Sequence, residues 1–537
     1  MNGITYPNPV GLCGKIDPLL SGTSAFANLG FGFIEIGPVT LSKETNPATP
    51  VVIHQEEQII FPSPLESAGL ERTVKKIKGV HKKQPFLFRL TGTEEEISTM
   101  MDTLSPYADG YVIHSDDPLP ISNGTKPVFI INPTMDRAEN MDRNGIEGFL
   151  FEYNDNLTLL ETLSDFRKAF LSMTIIASGA IHEPAQALSL LENGADFILL
   201  SDGYVFSGPG LPKRITEALM DEIDAPRKAQ SGWLSYWFFG LFIVLGGLLA
   251  LIFSLTSVML SYDEFYLGMT KDSIYLFNER IIPFMAHDRM TLAGTMISGG
   301  IVYCQLAYHG VRNGLLWAKQ AIDLAALTGF LGIFLFIGYG YFDWLHLLFW
   351  LLLLPFHVHG WIRTKGIYGT PSSGNRRNHK GWAHSLQGQL AFVLLGFSFL
   401  TGGIVISYLG ITSVFVPTDL LYLCMPPEML SDFNDKLIPV IAHDRAGFGS
   451  ALFSVGLLVL TLSLWGFQQG NRWVWRTLLI GGIPAFFAGI YIHFAIGYTT
   501  FIHLLPAYFA LSLYVFGLIR SYPYFHLTKD ESQPYQA

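Results

Sequence analysis

MTIIASGAIHEPAQALSLLENGADFILLSDGYVFSGPGLPKRI, residues Met173 to Ile215, reads as two consecutive strand-loop-helix units. An apolar strand over Met173 to Ala177 runs into Ser178-Gly179-Ala180, and a helix follows near Pro184. A second strand, Phe197 to Leu200, runs into Ser201-Asp202-Gly203. Glycine at both strand ends lets backbone N–H groups come close to an anion, and in (β/α)8 barrels the loops after the last two strands form such a phosphate site. The stretch predicts the closing end of a phosphate-binding barrel.

Working outward, β-rich runs separated by amphipathic, helix-length segments recur through the N-terminal part, the alternation of a parallel sheet. They fall at Val10 to Cys13, Phe31 to Ile36, Pro85 to Leu90, Gly110 to His114, Pro127 to Ile131, Gly148 to Glu152, Met173 to Ala177 and Phe197 to Leu200. Eight units predict an α/β fold, a closed (β/α)8 TIM barrel over residues 1–225. An open doubly wound sheet is the alternative, but it carries its glycine-rich phosphate loop after the first strand.

The chain has 537 residues, half of them hydrophobic, and a mean hydropathy of +0.34, more apolar than a soluble protein requires. The net charge of −10 gives no reason to expect nucleic acid. Cys13, Cys304 and Cys424 are the three cysteines, and their spacing fits neither a disulfide framework nor a cysteine metal site, so no metal ligands are assigned. MNGITYPNPVGLCGKI lacks the basic and apolar regions of a signal peptide, which predicts a cytoplasmic first domain.

NPVGLCGKID (Asn8 to Asp17), LGFGFIEIGPVT (Leu29 to Thr40) followed by NPATP (Asn46 to Pro50), SPYADGYVIH (Ser105 to His114) and the Met173 to Ile215 stretch follow one another as in class 2 dihydroorotate dehydrogenases. The region from about Asn8 to Leu219 resembles that family. The resemblance implies an FMN over the barrel mouth, with Gly179 and Gly203 facing its phosphate and Gly37 near the isoalloxazine ring. It also implies a small-molecule substrate and pyrimidine biosynthesis. Several positions depart from the family pattern. Its lysine after the first strand's Asp is replaced by Pro18, and its fifth-strand lysine by Ile130. Its N-x-S-S-P-N, with a substrate-binding Asn and a Ser base, is replaced by His114-Ser115-Asp116-Asp117-Pro118-Leu119. Asp117 then stands at the base position. The family's Asn-rich substrate loop corresponds to Ser63 to Gly69, which has no Asn, so the substrate site is expected to have diverged.

From Trp233 the pattern changes to apolar runs near 20 residues, the length that crosses a bilayer. Eight are predicted, at about 233–260, 291–310, 321–340, 344–362, 387–415, 446–466, 477–496 and 500–519. Arg227, Lys228, Arg312, Lys319, Arg363, Lys365, Arg376, Arg377, Lys380, Arg472, Arg476 and Arg520 all fall on the side of the N-terminal domain. The positive-inside rule makes that side, with the barrel and the C-terminus, cytoplasmic. IPFMAHDR at 282–289 returns as IPVIAHDR 156 residues on, from His287 to His443. The same offset relates Thr256-Ser257-Val258 to Thr412-Ser413-Val414, Asp263 to Asp419, Tyr266 to Tyr422, Met269 to Met425 and Asn278 to Asn434. With a slip of one residue, His346 matches His503. An all-α polytopic membrane domain of two parallel four-helix repeats, 226–383 and 384–537, follows.

His287, Asp288, Arg289 and His443, Asp444, Arg445 have two readings. One is a pair of clusters at an outer mouth that bind an anion, a quinone headgroup or a metal. The other is two helix starts whose aspartates sit near the positive dipole end beside their arginines. His346 and His503 lie early in their spans, where ionisable groups point to function. Bis-histidine haem, with these or with His357, His359 and His493, is disfavoured because only the 346/503 pair repeats. Two functions are carried forward. One is a membrane-bound flavoprotein oxidoreductase of dihydroorotate dehydrogenase type that passes electrons to quinone, in contact with lipid. The other is a transporter or membrane sensor carrying a catalytically inactive barrel.

Overall fold

The structure, a computed structural model, describes residues 4–117, 126–141, 145–153, 155–223, 231–335, 341, 343–367 and 380–527. It divides into two compact units, one containing Met1–Ala225 and the other Pro226–Gly369 with Gly381–Lys529. Arg227, Lys228, Arg376, Arg377, Pro118 and Leu119 lie outside the described residues.

The first unit is a closed parallel barrel. Its strands are β1 (Val10–Leu12), β2 (Phe33–Val39), β5 (Phe86–Leu90), β6 (Gly110–His114), β7 (Val128–Ile131), β8 (Ile146–Glu152), β9 (Thr174–Ser178) and β10 (Phe197–Leu200). Closure is made by β1 on β10, with Val10 beside Ile198 and Leu12 beside Leu200. All eight expected strands are present, with ends displaced by three residues at most. A ninth and tenth were not foreseen: β3 (Val51–Ile53) and β4 (Gln58–Ile60) form an antiparallel hairpin between β2 and β5. Three-residue runs with exposed Val51, Val52 and Ile60 carry too little pattern to be read as strands. Alternation divides the barrel strands into two layers. Phe33, Leu87, Val112, Phe129, Leu150, Ile176 and Leu199 fill the interior, while Ile34, Phe86, Phe88, Ile113 and Phe149 pack outward against the helices.

Among its described residues the second unit has eight helices long and apolar enough to cross a membrane: Trp233–Leu255, Ile281–Asn313, Leu316–Leu335, Trp344–Arg363, Lys380–Ile411, Leu437–Trp465, Arg472–Ala495 and Phe501–His526. The second and sixth start near ten residues before the expected 291 and 446. A hydropathy pattern reads His-Asp-Arg as loop, whereas these side chains stay inside the helix because each finds a partner. Pro283 and Pro439 occupy the first turn, where no intrahelical N–H is needed.

This corrects the helix-start reading. The two AHDR motifs lie a full turn or more inside their helices, and their charges pair crosswise. Arg289 donates from Nε to Asp444 Oδ2 (2.6 Å) and from Nη1 to Asp263 Oδ2 (2.9 Å). Arg445 donates from Nε to Asp288 Oδ2 (3.3 Å) and from Nη1 to Asp419 Oδ2 (2.5 Å). Each guanidinium also donates to a backbone carbonyl, Val258 for Arg289 and Val414 for Arg445. Both valines take positive φ, 60° and 63°, a costly conformation for a β-branched residue.

Short helices precede the motifs, Ser261–Leu267 and Lys271–Phe277 in one case and Pro417–Leu423 and Pro427–Phe433 in the other. They are tied reciprocally: Asn278 Nδ2 donates to the Leu423 carbonyl (2.9 Å) and Asn434 Nδ2 to the Leu267 carbonyl (3.0 Å). Phe277 and Phe433 stack with ring centroids 3.8 Å apart.

Removing one partner of a buried ion pair leaves an uncompensated charge and costs about 3–5 kcal/mol. Arg445→Met strands Asp288 and Asp419, so the melting temperature of the detergent-solubilised protein is expected to fall markedly. Lys436→Met, at an exposed position, is expected to leave it unchanged; differential scanning fluorimetry on tryptophan emission reads both.

Candidate functional site

Alternation along the strands decides what the barrel mouth contains. Phe33, Leu87 and Leu150 belong to the interior, so Glu35, Arg89 and Glu152, two residues further along β2, β5 and β8, point the same way. Arg89 donates from Nε to Glu35 Oε1 (2.8 Å) and from Nη1 to Glu152 Oε2 (3.2 Å), and its Nη2 bonds Glu152 Oε1. Lys15 Nζ, just past β1, donates to Glu152 Oε2 (2.6 Å). The Gly14 amide donates to Glu35 Oε2 (2.8 Å). Asn132, held at φ 46° after β7, accepts the Glu152 amide at Oδ1 (2.8 Å). Burial alone would raise the Glu152 carboxyl, but Arg89 and Lys15 overcome it and hold it at about 2. Burial keeps the Cys13 thiol well above its ordinary value and therefore protonated.

The sequence reading overlooked this cluster. It counted two cations as missing after the first strand and in β7, whereas Lys15 and Arg89 supply two from other positions. The available signal was charge at the inward register of an otherwise apolar strand, FIEIGPV and FLFRL.

The residues expected from sequence lie around the same mouth. Gly37 has φ 127°, and a Cβ there would meet the Arg89 carbonyl at 2.7 Å, so only glycine lets β2 pass so close to β5. Asp117, following β6, has a buried Oδ2 with no hydrogen-bond partner among the described residues. Burial raises its carboxyl above the ordinary value, opposed by the nearby His114. Asp116 is exposed, with Oδ2 3.5 Å from His114 Nδ1.

The two glycine loops are tight and largely satisfied within the chain. A Cβ on Gly179 would meet Asn156 Oδ1 at 2.7 Å, and one on Gly203 the Ile181 carbonyl oxygen at 2.1 Å. The Ala180 amide donates to Asn156 Oδ1 (3.1 Å), and the Gly203 amide to Asp202 Oδ1 (3.1 Å). Asp202 Oδ2 also accepts from Ile59 of the β3-β4 hairpin (3.4 Å), and Glu57 of that hairpin lies 3.3 Å from His182. Against an FMN, the mouth offers glycine-lined backbone and the cations Lys15 and Arg89. The loop after β10 carries the buried carboxylate of Asp202, which accepts the Gly203 amide and would repel a dianion at that loop.

The membrane unit gathers the histidines differently from the sequence expectation. His346 and His503 do not face each other. His503 joins His287 and His493, one ligand atom from each lying within 4.8 Å of the others, while His346 joins His443 and Asp343. His357 lies 3.3 Å from Asp323, and His359 Nδ1 is 2.6 Å from Ser235 Oγ.

The first of these groups opens on a largely apolar cavity of about 750 Å³, bounded by Phe399, Ile406, Phe486 and Ala510. Arg289, Asp444 and His346 border a second, of about 210 Å³.

A closed barrel of eight parallel strands, most of them joined through helices, belongs to the (β/α)8 class. Among known proteins its N-terminal part is distantly homologous to the quinone-type dihydroorotate dehydrogenases. Dihydroorotate dehydrogenase (quinone) of Idiomarina loihiensis is 31% identical over 126 residues, 22% of this chain and 38% of the relative. The chain thus spans well under half the length of that relative and of the one from Psychromonas ingrahamii. The enzyme of Dichelobacter nodosus is 24% identical over 281 residues, 39% of this chain and 83% of the relative. A crystal structure of DHODH from Eimeria tenella aligns with 16% identity and a TM-score of 0.37, covering 41% of this chain and 82% of that one. No family model matches the chain. FMN and pyrimidine biosynthesis are the cofactor and pathway of the family to which these relatives belong.

The depressed Glu152 carboxyl ties barrel stability to pH. Its folded value, about 2, lies below the ordinary 4.5, so its contribution is complete above 4.5 and is lost as pH falls from there through 2. The protection factors of β5 and β8 amides, measured by hydrogen exchange and mass spectrometry and corrected for the intrinsic exchange rate at each pH, are expected to fall over that window. Glu152→Gln should flatten this dependence, while Arg89→Met, which strands two carboxylates, should loosen the barrel at neutral pH by about 3–5 kcal/mol.

Proposed function

We propose that the protein is a membrane-bound oxidoreductase of dihydroorotate dehydrogenase type with a diverged substrate site. The observation that carries this reading is the homologous barrel with Lys15, Glu35, Arg89 and Glu152 at its mouth and Asp117 beside it, followed by eight apolar helices. FMN, when bound, supplies hydride acceptance. Gly179 and Gly203 would hold its phosphate, and Gly37 would lie near its ring. Asp117, raised by burial and unpaired at Oδ2 among the described residues, is suited to accept a substrate proton. Quinone, dissolved in the surrounding lipid, is the electron acceptor. The excess of Arg and Lys at alternate helix ends supports a barrel and C-terminus on the cytoplasmic side.

A second reading, a transporter or membrane sensor with an inactive barrel, is favoured by Asp202 at the phosphate loop and by the mutual neutralisation within the mouth cluster. One set of measurements separates the two. The purified full-length protein titrated with FMN is expected to bind it weakly, and Asp202→Thr to tighten binding about tenfold or more, equivalent to ~1.4 kcal/mol. Asp117→Asn should retain FMN and slow its reduction by dihydroorotate by about 10²–10⁴-fold. Failure of both the parent protein and Asp202→Thr to take up flavin sinks the first reading and leaves the second.

A further inference from the structure

We infer that His287, His493 and His503 form a binding site for one transition-metal ion inside the helical unit. This inference is independent of the reading of the barrel. His287 comes from the second span, His493 from the end of the seventh and His503 from the start of the eighth, 206 residues apart in the first pairing.

The contacts around the three rings bear on which nitrogen each presents. His287 Nδ1 lies 3.0 Å from Asp288 Oδ1 without hydrogen-bond geometry, a charge contact with a carboxylate that also pairs with Arg445. His493 Nδ1 faces the Gly489 carbonyl, a pure acceptor. His503 Nδ1 lies 3.0 Å from the Tyr498 hydroxyl, whose own proton is donated to Asp419 Oδ1 at 2.7 Å. Thr418 Oγ1 also lies 3.3 Å from that Nδ1. His493 therefore presents a lone pair on Nε2, and His287 turns its own Nε2 toward it.

His287 Nε2 and His493 Nε2 lie 2.9 Å apart and share one proton in a hydrogen bond. A metal ion bound by both nitrogens takes the place of that proton, which moves to His287 Nδ1 beside Asp288. Two nitrogens bound at about 2.0–2.1 Å to a tetrahedral zinc lie about 3.3 Å apart, close to this spacing. A carboxylate behind His287, a carbonyl behind His493 and a hydroxyl behind His503 are the kind of outer partners that orient metal-bound histidines. Asp288 and Asp419 against Arg445 leave one net negative charge beside the site, which favours a divalent ion. Three imidazoles suit zinc, copper, iron or nickel, and the cavity of about 750 Å³ leaves a coordination position for an oxygen ligand.

The counterpart group is built otherwise. His443 Nδ1 lies 3.2 Å from Asp444, as His287 does from Asp288, but His346 Nδ1 is engaged at 2.5 Å by Asp343. The positions 157 and 156 residues before His493 are Phe336 and Ile337, which carry no ligand atom. The ion is therefore assigned to one group and not to both.

The test uses the full-length protein in mild detergent, purified without a metal-affinity tag. Metal content is measured by inductively coupled plasma mass spectrometry as isolated and after zinc loading and desalting. One zinc per chain is expected in the parent protein, and an absorption spectrum of tetrahedral nitrogen ligation on cobalt(II) substitution. His493→Gln and His503→Gln should each lose the ion, while His346→Gln keeps it. Size-exclusion profiles and melting temperatures without metal establish that each variant is folded, and zinc should raise the melting temperature of the parent and not of the His493 variant. Absence of stoichiometric binding by the parent of zinc, copper, iron and nickel alike overturns the assignment. So does zinc lost in the His346 variant but retained in His493→Gln, which would place the ion in the other group. Undiminished binding in folded His493→Gln and His503→Gln proteins has the same consequence.

Discussion

A guanidinium withdrawn from water must be met by carboxylates, and those carboxylates come from parts of the chain far away in sequence. Each unit is organised around this requirement. In the barrel, Arg89 joins β5 to β2 through Glu35 and to β8 through Glu152. Among the helices, Arg289 and Arg445 reach across to Asp444 and Asp288 and back to Asp263 and Asp419. Breaking any of these contacts leaves a buried charge, which is more costly than the pair is stabilising. The cost is what makes the arrangement specific: alternative helix or strand registers leave the same charges unpaired.

The crossed pairs also set up the histidine chemistry. Asp288 lies beside the adjacent His287 with one oxygen and accepts from Arg445 with the other. Asp419 takes Arg445 on Oδ2 and the Tyr498 hydroxyl on Oδ1, and Tyr498 lies 3.0 Å from His503 Nδ1. One arginine is thus linked, through two carboxylates and a phenol, to two imidazoles that come from different helices. In the barrel, the same logic leaves the charged side chains of the mouth paired with one another. Lys15 and Arg89 are held by Glu35 and Glu152, and Asp202 places a charge at the loop that would grip a phosphate.

Much of the fold was legible from local pattern. Eight runs of Val, Ile, Leu and Phe bounded by glycine and polar turns bury both faces in a parallel sheet covered by helices, and the position of the glycine loops after the last two strands favours the closed barrel over the open sheet. Eight apolar runs near 20 residues can satisfy their backbone in lipid only as helices. The β3-β4 hairpin was missed because its strands are three residues long. The starts of the second and sixth spans were misplaced because His, Asp and Arg count as polar wherever they are, while the structure pays for their burial through contacts more than a hundred residues away. The interior charges Glu35, Arg89 and Glu152 left only a weak trace, a charged residue at an inward register position.

The sequence by itself determined the identity of the elements, the barrel-to-membrane order and the repeated AHDR motifs, since these follow from periodicity, run length and self-similarity along the chain. It also marked Gly37, Gly179, Gly203, Asp117 and the four motif and span histidines as unusual. Tertiary structure alone decided which of these meet. His503 faces His287 and His493 instead of His346, and each motif's arginine pairs with the other motif's aspartate. Asp202, not an open amide, stands at the last glycine loop. The physical reason is that the direction in which a side chain points, and the partner that neutralises it, depend on how helices and strands pack across distances that no local pattern in the chain records.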